Sequence, residues 1–297
     1  MNLKELQYLV AIDEEKHFNK AAKRCFVSQP TLSGQLKKLE DELGVLLVER
    51  NNKQVKMTNV GSAVAQQARV VLAETKRIKE ITQAFDDPMA GEIHLGLIPT
   101  VAPYLLPLII PSLKKKHPKL SLWLYEHQTE TLLNMLRDAR LDLLILALPV
   151  DTDEFDEIDL YKEPFWLAVP NSDKLAHKKS IKLSELNKRE ILLLQEGHCL
   201  RGQALDICFN NGANEYAGFQ ATSLETLRYM VAEGVGSTLL PELSVPKRIL
   251  KDSVIHYLPF TNPKPTRRIG MLFRRGSYRR TTYEKISDSI KSNVEKR

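Results

Sequence analysis

Two cysteines nine residues apart are the groups in this chain best suited to covalent chemistry. Cys199 follows His198 at the start of a helix-like run, and Cys208 closes the same run between two large apolar residues. A helix N-terminus and the positive charge of Arg201 both favour the thiolate, which is the reactive form of cysteine. We therefore predict that Cys199 is reactive and that Cys208 is a buried, inert thiol.

The spacing of these cysteines makes a continuous helix and a disulfide mutually exclusive. Nine helical steps of ~1.5 Å would separate their Cα atoms by about 13 Å, whereas a disulfide requires less than ~7 Å. Oxidation to a sulfenic acid, followed by capture by the second cysteine, would have to unwind the segment. The spacing alone leaves open that the two are unrelated core cysteines. Cys25, next to Ala21 and Ala22, is predicted to be a packing residue.

The composition excludes two classes of protein. The chain has 297 residues, of which 43% are apolar and 27% charged, as is usual for a soluble protein of two or three domains. No apolar run approaches the ~20 residues of a membrane span, and the N-terminus lacks the pattern of a signal peptide. Three cysteines are too few for a disulfide framework and suit a reducing compartment. We predict a cytoplasmic protein without membrane contact, metal or cofactor.

The net charge of +6 is unevenly distributed. Residues 264–297 carry eleven basic and three acidic residues, so this segment supplies the whole excess, while residues 16–39 carry six basic residues and no acid. The arginine pairs of the first segment, Arg274 with Arg275 and Arg279 with Arg280, could form a second DNA or partner surface. We favour a solvated rim that supports solubility and subunit salt bridges for these arginines.

The basic N-terminal stretch is predicted to lie on closely spaced helices. Apolar periodicity indicates a helix over residues 3–15, a short helix over 18–25, and a third helix that Ser28 caps and Gly44 ends. Two short strands, 46–49 and 54–57, follow around a hairpin-like tip. This order is typical of a winged helix-turn-helix, whose second helix enters the DNA major groove. The helix would present Gln29, Thr31, Ser33, Gly34, Gln35 and Lys37. A small helical bundle with solvated lysines is the alternative.

A long helix and an alternating α/β region complete the chain. Thr58 could cap a helix over residues 59–85, about 40 Å long, whose apolar stripe nothing in its own chain would cover. A partner helix is therefore expected. Residues 86–91 break the pattern. Strands at 93–97, 121–125 and 143–148 then alternate with helices at 105–116 and 130–139, and further strands at 165–169, 191–194, 237–240 and 267–273 precede a last helix over 283–294. This βαβ order predicts a parallel sheet.

The N-terminal residues closely resemble those of the LysR-type transcriptional regulators over about residues 1–65. The matching positions are Ala21-Ala22, Ser28-Gln29-Pro30-Thr31-Leu32-Ser33, Leu36, Leu39-Glu40, Leu43-Gly44, Leu47, Arg50, Thr58 and Gly61. Residues 221–227 and 231–241 resemble the same family. The resemblance implies contacts to double-stranded DNA by Ser28, Gln29, Pro30, Thr31, Ser33, Gln35, Lys37, Arg50 and Lys53.

The same resemblance implies an α/β architecture in three parts. These are a winged helix-turn-helix (residues 1–58), a linker and dimerisation helix with hinge (59–90), and a regulatory domain like the periplasmic binding proteins (91–297). The regulatory domain would comprise subdomain I (91–163 and 268–297) and subdomain II (164–267), with an effector cleft between them. Linker helices would pair two subunits, and regulatory domains would join two dimers into a tetramer.

Residues 96–100, 194–201 and 221–230 resemble the peroxide-sensing members of this family. The resemblance implies that hydrogen peroxide oxidises Cys199 and that Cys208 resolves it as a reversible disulfide, switching antioxidant genes. It assigns peroxide binding to Thr100, Thr129, His198, Gly197 and Arg267. It further implies contact with RNA polymerase and reduction by a thiol protein such as glutaredoxin.

Two glycines depart from the pattern expected of these sensors. Gly202 stands where an acid is common, and Gly218 where a histidine is common. The missing acid would remove a partner for the arginine near Arg267 and leave the positive field at Cys199 less neutralised, and glycine would loosen the helix by ~1 kcal/mol. Two other functions remain open: a LysR-type regulator of a small metabolite with incidental cysteines, and a thiol peroxidase fused to a DNA-binding module. We predict that the chain is not an enzyme.

Overall fold

The computed structural model describes residues 1–51, 54–84, 87–150, 153–248 and 253–297, with the side chains of 50, 51, 54, 76, 77 and 79–84 outside that description. The chain divides into an N-terminal unit, Met1–Asp87 with Asn134–Arg140, and a C-terminal unit, Pro88–Leu133 with Leu141–Arg297. Among the described helices, none is long and apolar enough to cross a membrane. The division into residues 1–58, 59–90 and 91–297, with its two subdomains, stays a prediction.

The N-terminal unit has the predicted helix-turn-helix and hairpin. Its elements are α1 (Leu3–Glu15), α2 (Phe18–Arg24), α3 (Gln29–Leu43), β1 (Val48–Asn51), β2 (Gln54–Met57) and α4 (Asn59–Ala84). The Ser28 hydroxyl accepts from the Thr31 N–H at the start of α3, and Gly44 ends that helix with φ +68°. The first strand begins at Val48 rather than at residue 46, because the pairing with β2 starts at Val48 opposite Met57.

Helix α4 does have a cover within its own chain, so that prediction was wrong. α1 packs along α4, where Ala65 and Ala68 are buried. The guanidinium of Arg69 on α4 pairs with Asp13 on α1, which fixes the two helices side by side. The apolar pattern of α4 alone does not show that α1 folds back beside it. Among the described side chains of α4, the large apolar residues Val60, Val71 and Ile78 remain exposed.

The C-terminal unit alternates strands and helices as predicted, with more strands than the sequence indicated. Its strands are β3 (Gly91–Leu97), β4 (Leu120–Glu126), β5 (Leu143–Leu148), β6 (Phe155–Pro170), β7 (Glu190–Leu194), β8 (Asn214–Ala221), β9 (Ser237–Pro241), β10 (Ile255–Pro259) and β11 (Thr266–Arg274). Its helices are α5 (Ala102–Lys116), α6 (Thr129–Arg137), α7 (Cys199–Phe209), α8 (Leu224–Ala232) and α9 (Arg280–Glu295). Two short 3₁₀ helices span Leu183–Leu186 and Glu242–Ser244.

The sheet of this unit is mixed, not parallel. Within the described residues, nine strands join in the order β4-β3-β5-β11-β6-β9-β7-β8, with β10 on β6. β3 is parallel to β4 and β5, and β7 is parallel to β8 and β9, which confirms two βαβ series. β6 is a continuous strand of 16 residues. It pairs in antiparallel direction with β9, β10 and β11 and so connects the two parallel series.

The candidate reactive residues follow the carboxyl ends of parallel strands. Thr100 comes after β3, Thr129 begins the helix after β4, and Cys199 begins the helix after β7. Since β3 and β4 are neighbours in parallel register, their ends lie at one edge of the sheet. Such edges are the usual place for ligand-binding residues in α/β sheets.

Candidate functional site

Both candidate redox cysteines lie on helix α7, as the sequence predicts. Cys199 is its first residue, with His198 as the N-cap, while Cys208 lies nine residues on. Cys208 shares the buried face of the helix with Leu200 and Ala204. Both thiols are free. The helix therefore holds both cysteines as separate thiols, with Cys199 at its N-terminus and Cys208 in the hydrophobic core.

Cys199 and Thr129 are brought into direct contact. The Thr129 Oγ1 atom lies 2.6 Å from the Cys199 Sγ atom, and either can donate the hydrogen. The loop before Cys199 passes close to Gln128, because the Gln128 side chain donates to the carbonyl of Glu196 at 3.4 Å. Gly197 has φ +90°, and a Cβ there would lie 2.5 Å from the Gln128 Oε1 atom. Glycine is therefore required at this turn.

Burial shifts the pKa values of His198 and Cys208 further toward their neutral forms. His198 is 8% exposed, and burial lowers the pKa of its imidazole, which favours the neutral ring. Burial raises the pKa of Cys208 to about 12, so this residue is a protonated thiol in the core. The prediction that Cys208 is buried is confirmed.

Thr100 and Arg267 belong to a second, separate group. The Arg267 guanidinium is 3% exposed, donates to the Thr100 hydroxyl and carbonyl at 3.0 Å each, and pairs with Glu163 at 2.8 Å. The other Glu163 oxygen accepts from the Leu243 N–H at 2.8 Å. Among the described side chains, no hydrogen bond or ion pair joins Arg267, Thr100 or Glu163 to Cys199 or Thr129. The five predicted peroxide ligands thus divide between two neighbouring polar groups.

Arg201 does not offer the free positive charge that the sequence predicts. Its guanidinium makes two parallel 2.7 Å hydrogen bonds to the Glu215 carboxylate on β8 and a third, of 3.0 Å, to the carbonyl of Leu194. The reason is that β8 runs beside β7, with Glu215 opposite Ile191. The Arg201 charge therefore lowers the pKa of Glu215 and is neutralised by it.

Arg267 has a carboxylate partner in Glu163, whether or not an acid stands at position 202. Gly202 is exposed, and a Cβ there would meet no atom within 4 Å. Gly218 is exposed on β8, where a Cβ would lie 2.9 Å from the Tyr216 ring.

Gly202→Ala should stabilise helix α7 by about 1 kcal/mol, because alanine loses less backbone entropy in a helix and the site has room for its methyl group. Hydrogen exchange of the α7 amides in the reduced protein would measure the effect. Slower exchange is expected, and unchanged or faster exchange would contradict it. Gly218→Ala, outside the helix, is the control and should leave α7 exchange unchanged.

The predicted DNA-contacting residues of α3 lie on an accessible face. Ser28, Gln29, Pro30, Thr31 and Lys37 are exposed, and Ser33 and Gln35 are half-buried. The opposite face buries Leu32, Leu36 and Leu39 in the core of the unit. Two further predicted contacts, the Arg50 side chain and Lys53, lie outside the described residues.

A carboxylate and a glycine fix the hairpin beside α3. Glu40 is 8% exposed and accepts the N–H groups of Leu47 and Val48 at 2.9 and 3.2 Å. Gly61 in the first turn of α4 packs on the hairpin so closely that a Cβ would lie 1.9 Å from the Leu47 carbonyl oxygen. Thr58 caps α4 as predicted, accepting the Gly61 N–H at 2.8 Å. Cys25 is half-buried against the same core, in keeping with a packing role.

The C-terminal arginines have partners within the C-terminal unit. Arg279 is 4% exposed and donates to the carbonyls of Ala90 and Glu92. Arg280 pairs with Asp156 and Glu284. Arg279 is thus neither a solvated rim residue nor a DNA contact, because it holds the residues that open β3.

Three residues of the site were not found from the sequence: Glu163, Glu215 and Gln128. Glu163 had no distinguishing signal, since its strand also contains Asp156, Glu157 and Asp159 and Lys162 directly precedes it. Glu215 and Gln128 had none, because their partners are distant in the sequence. Among the described residues, no group of three or more His, Cys, Asp or Glu side chains could hold a metal ion.

Two family models match the chain. Residues 3–62 match the bacterial regulatory helix-turn-helix proteins of the lysR family, and residues 86–295 match the LysR substrate binding domain. The DNA-binding transcriptional dual regulator OxyR of Escherichia coli K12 is 48% identical over 295 residues, which are 99% of this chain and 96% of that protein.

Solved structures agree with these matches. Full-length OxyR from Pseudomonas aeruginosa, a C199D variant, superposes with a TM-score of 0.81 at 39% identity, covering 98% of this chain and 94% of that one. The oxidised and reduced forms of OxyR superpose with TM-scores of 0.64 and 0.65 at 45% and 42% identity. Each covers 70% of this chain and 98% of its own.

Proposed function

Because this chain belongs to the LysR family of bacterial helix-turn-helix regulators, we propose that it is a transcriptional regulator that senses hydrogen peroxide through Cys199 and Cys208. The observation that carries the proposal is the pair of free thiols on α7, with Cys199 in contact with Thr129 at the open end of the helix. The similarity to OxyR supports the choice of hydrogen peroxide as the signal.

The oxidation proceeds in two steps. The Cys199 thiolate attacks one oxygen of peroxide, the O–O bond breaks, and the second oxygen leaves as hydroxide, which takes a proton to become water. Cys199 is then a sulfenic acid. The Cys208 sulfur attacks the sulfenic sulfur, the S–S bond forms, and the S–O bond breaks, so that hydroxide leaves with the Cys208 proton as a second water. Peroxide gains two electrons and the two thiols lose two.

The residues around Cys199 have distinct roles in this proposal. The Thr129 hydroxyl, 2.6 Å from the sulfur, can donate to the thiolate or to the departing oxygen. The neutral His198 imidazole can donate or accept a hydrogen bond without adding charge. Gly197 allows the loop to approach Gln128. Thr100 and Arg267 are assigned to the same peroxide site, with the hydroxyl of Thr100 oriented by Arg267.

Unwinding of α7 couples disulfide formation to the conformation of the C-terminal unit. Because the helix separates Cys199 from Cys208 by about 13 Å, the disulfide cannot form until Cys208 leaves the core. Burial holds the pKa of Cys208 at about 12, so its thiol becomes a good nucleophile only after that exit. Oxidation therefore selects a second conformation of the C-terminal unit.

We further propose that the N-terminal unit reads double-stranded DNA with Ser28, Gln29, Pro30, Thr31, Ser33, Gln35, Lys37, Arg50 and Lys53. Exposure of the first turns of α3 supports major-groove contact. The exposed apolar residues of α4, Val60, Val71 and Ile78, support a homodimer that could assemble further into a tetramer. We also propose that the protein is cytoplasmic, contacts RNA polymerase and is reduced by a glutaredoxin-like thiol protein. In this proposal the chain is a regulator and not an enzyme.

One equivalent of hydrogen peroxide should convert the wild-type chain to a Cys199–Cys208 disulfide and change its footprint on operator DNA. Cys199→Ser should bind DNA but lose both responses, because the attacking sulfur is gone. Mass-spectrometric mapping and footprinting before and after peroxide measure these outcomes. Cys25→Ser is the matched control and should respond like the wild type.

If the wild-type chain forms no disulfide and keeps its footprint, the proposal fails. A LysR-type regulator that responds to a small metabolite in the C-terminal unit would then be the better hypothesis, with the cysteines incidental.

A further inference from the structure

The Arg201–Glu215 ion pair lies on the segment that oxidation must rebuild. Arg201 is in the first turn of α7, two residues after Cys199, and Glu215 is on β8. Both side chains are largely buried, at 14% and 23% exposure. Two 2.7 Å hydrogen bonds in parallel are the strongest arrangement that an arginine and a carboxylate can make.

The partners of Arg201 lie on two strands of the sheet. Glu215 is opposite Ile191, in the last pair before a register shift in the β7–β8 pairing, and Leu194, whose carbonyl accepts the third Arg201 hydrogen bond, is the last residue of β7. Arg201 therefore joins the first turn of the helix to β7 and β8.

Disulfide formation cannot leave this connection in place. The Cα atoms of Cys199 and Cys208 must approach from about 13 Å to less than ~7 Å, and the helical turns between them must open. Arg201 lies within those turns, so its Cα atom must move relative to β7 and β8. The two hydrogen bonds and the bond to Leu194 form only while the first turn of α7 is helical.

We propose that Arg201 and Glu215 act as a latch that holds the dithiol conformation and thereby sets the equilibrium and the rate of the disulfide-forming step. The latch rests on the proposed redox function of Cys199 and Cys208. It acts on the second step, capture of the sulfenic acid by Cys208, and not on the attack of Cys199 on peroxide. Arg201 and Glu215 are positioning residues, since they act through the conformation of α7.

Glu215→Gln should shift the thiol–disulfide equilibrium against glutathione about tenfold toward the disulfide, which equals a change of about 30 mV to a more negative potential. The matched control is Asp173→Asn, because Asp173 makes a similar half-buried, two-bond pair with Arg189, at 2.8 and 2.9 Å, away from α7. The control should leave the equilibrium unchanged. Equal shifts in both variants, or none in Glu215→Gln, would overturn the latch.

The step on which the latch acts can be isolated with a Cys208→Ser background, in which only the sulfenic acid forms. There, Glu215→Gln should leave the rate of Cys199 oxidation by peroxide within about twofold. In the chain with both cysteines, the same substitution should speed disulfide closure several-fold. A large change in the first rate would instead assign Arg201 and Glu215 to the electrostatics of Cys199 and contradict the latch.

A double-variant cycle tests whether the two residues act as one unit. Arg201→Gln and Glu215→Gln should each shift the equilibrium, and the double variant should shift it no further than either alone. Hydrogen exchange of the α7 amides in the reduced single variants should rise, while the amides of β5 and β11 should stay as protected as in the wild type, which shows that the variants are folded. Additive shifts would contradict a shared latch. Failure of the wild-type chain to form any disulfide would refute the redox function itself, a separate outcome.

Discussion

Arg267→Met should destabilise the C-terminal unit by about 3–5 kcal/mol, the usual cost of leaving one member of a buried ion pair uncompensated. Arg267 and Glu163 are 3% and 2% exposed, and the arginine also holds the hydroxyl and carbonyl of Thr100. Removing the guanidinium leaves the Glu163 carboxylate with the Leu243 N–H as its remaining partner. Urea unfolding followed by circular dichroism measures the loss.

The neighbouring residue supplies the control for this prediction. Arg268 also pairs with carboxylates, Asp159 and Glu157, but its side chain is 43% exposed on the opposite face of β11. Arg268→Met should leave the urea midpoint almost unchanged, because exposed ion pairs contribute little. In the double variant Arg267→Met, Glu163→Gln, part of the lost stability should return. If Arg267→Met and Arg268→Met lower the urea midpoint equally, burial does not determine how much the Arg267–Glu163 pair contributes to stability.

Gly61→Ala should destabilise the N-terminal unit by about 3 kcal/mol and weaken specific DNA binding at least tenfold. Its Cβ would lie 1.9 Å from the Leu47 carbonyl oxygen, and a main-chain oxygen cannot rotate away as a side chain can. Relief of the contact requires α4 to separate from the hairpin, which Glu40 ties to α3. Thermal unfolding and a fluorescence anisotropy titration with operator DNA measure the two losses.

Two controls separate this contact from the general effect of alanine. Gly34→Ala, on α3, places a Cβ where no atom lies within 4 Å and should raise stability by up to about 1 kcal/mol. Ser62→Ala, at an exposed position next to Gly61, should leave DNA binding unchanged. A Gly61→Ala protein with the melting temperature and affinity of the wild type would refute the predicted contact.

The sequence predicts well where the pattern is local. The caps at Ser28 and Thr58, the end of α3 at Gly44 and the start of α7 at Cys199 are all confirmed, because each depends on neighbouring residues. The contact of α1 with α4 was missed. That contact depends on how two helices pack, and the apolar stripe of α4 shows only that something covers it.

The main errors of the sequence-based prediction concern the direction of the strands in the sheet and the ion-pair partners of two arginines. β6 was predicted only over residues 165–169, since its first ten residues, 155–164, include five charged residues and a proline and have no apolar run. The partners of Arg201 and Arg267 lie 14 and 104 residues away along the chain. The sequence shows that an arginine is present but not which carboxylate the fold brings to it.

The position of β11 has a consequence for the order in which the chain can be completed during synthesis. β11 leaves the ribosome after β3 to β10, yet it lies between β5 and β6. Until residue 274 emerges, the sheet has an open gap at its centre, and buried strands such as β5 lack their neighbour. The newly made chain must therefore keep an apolar edge protected from other chains until β11 has been translated.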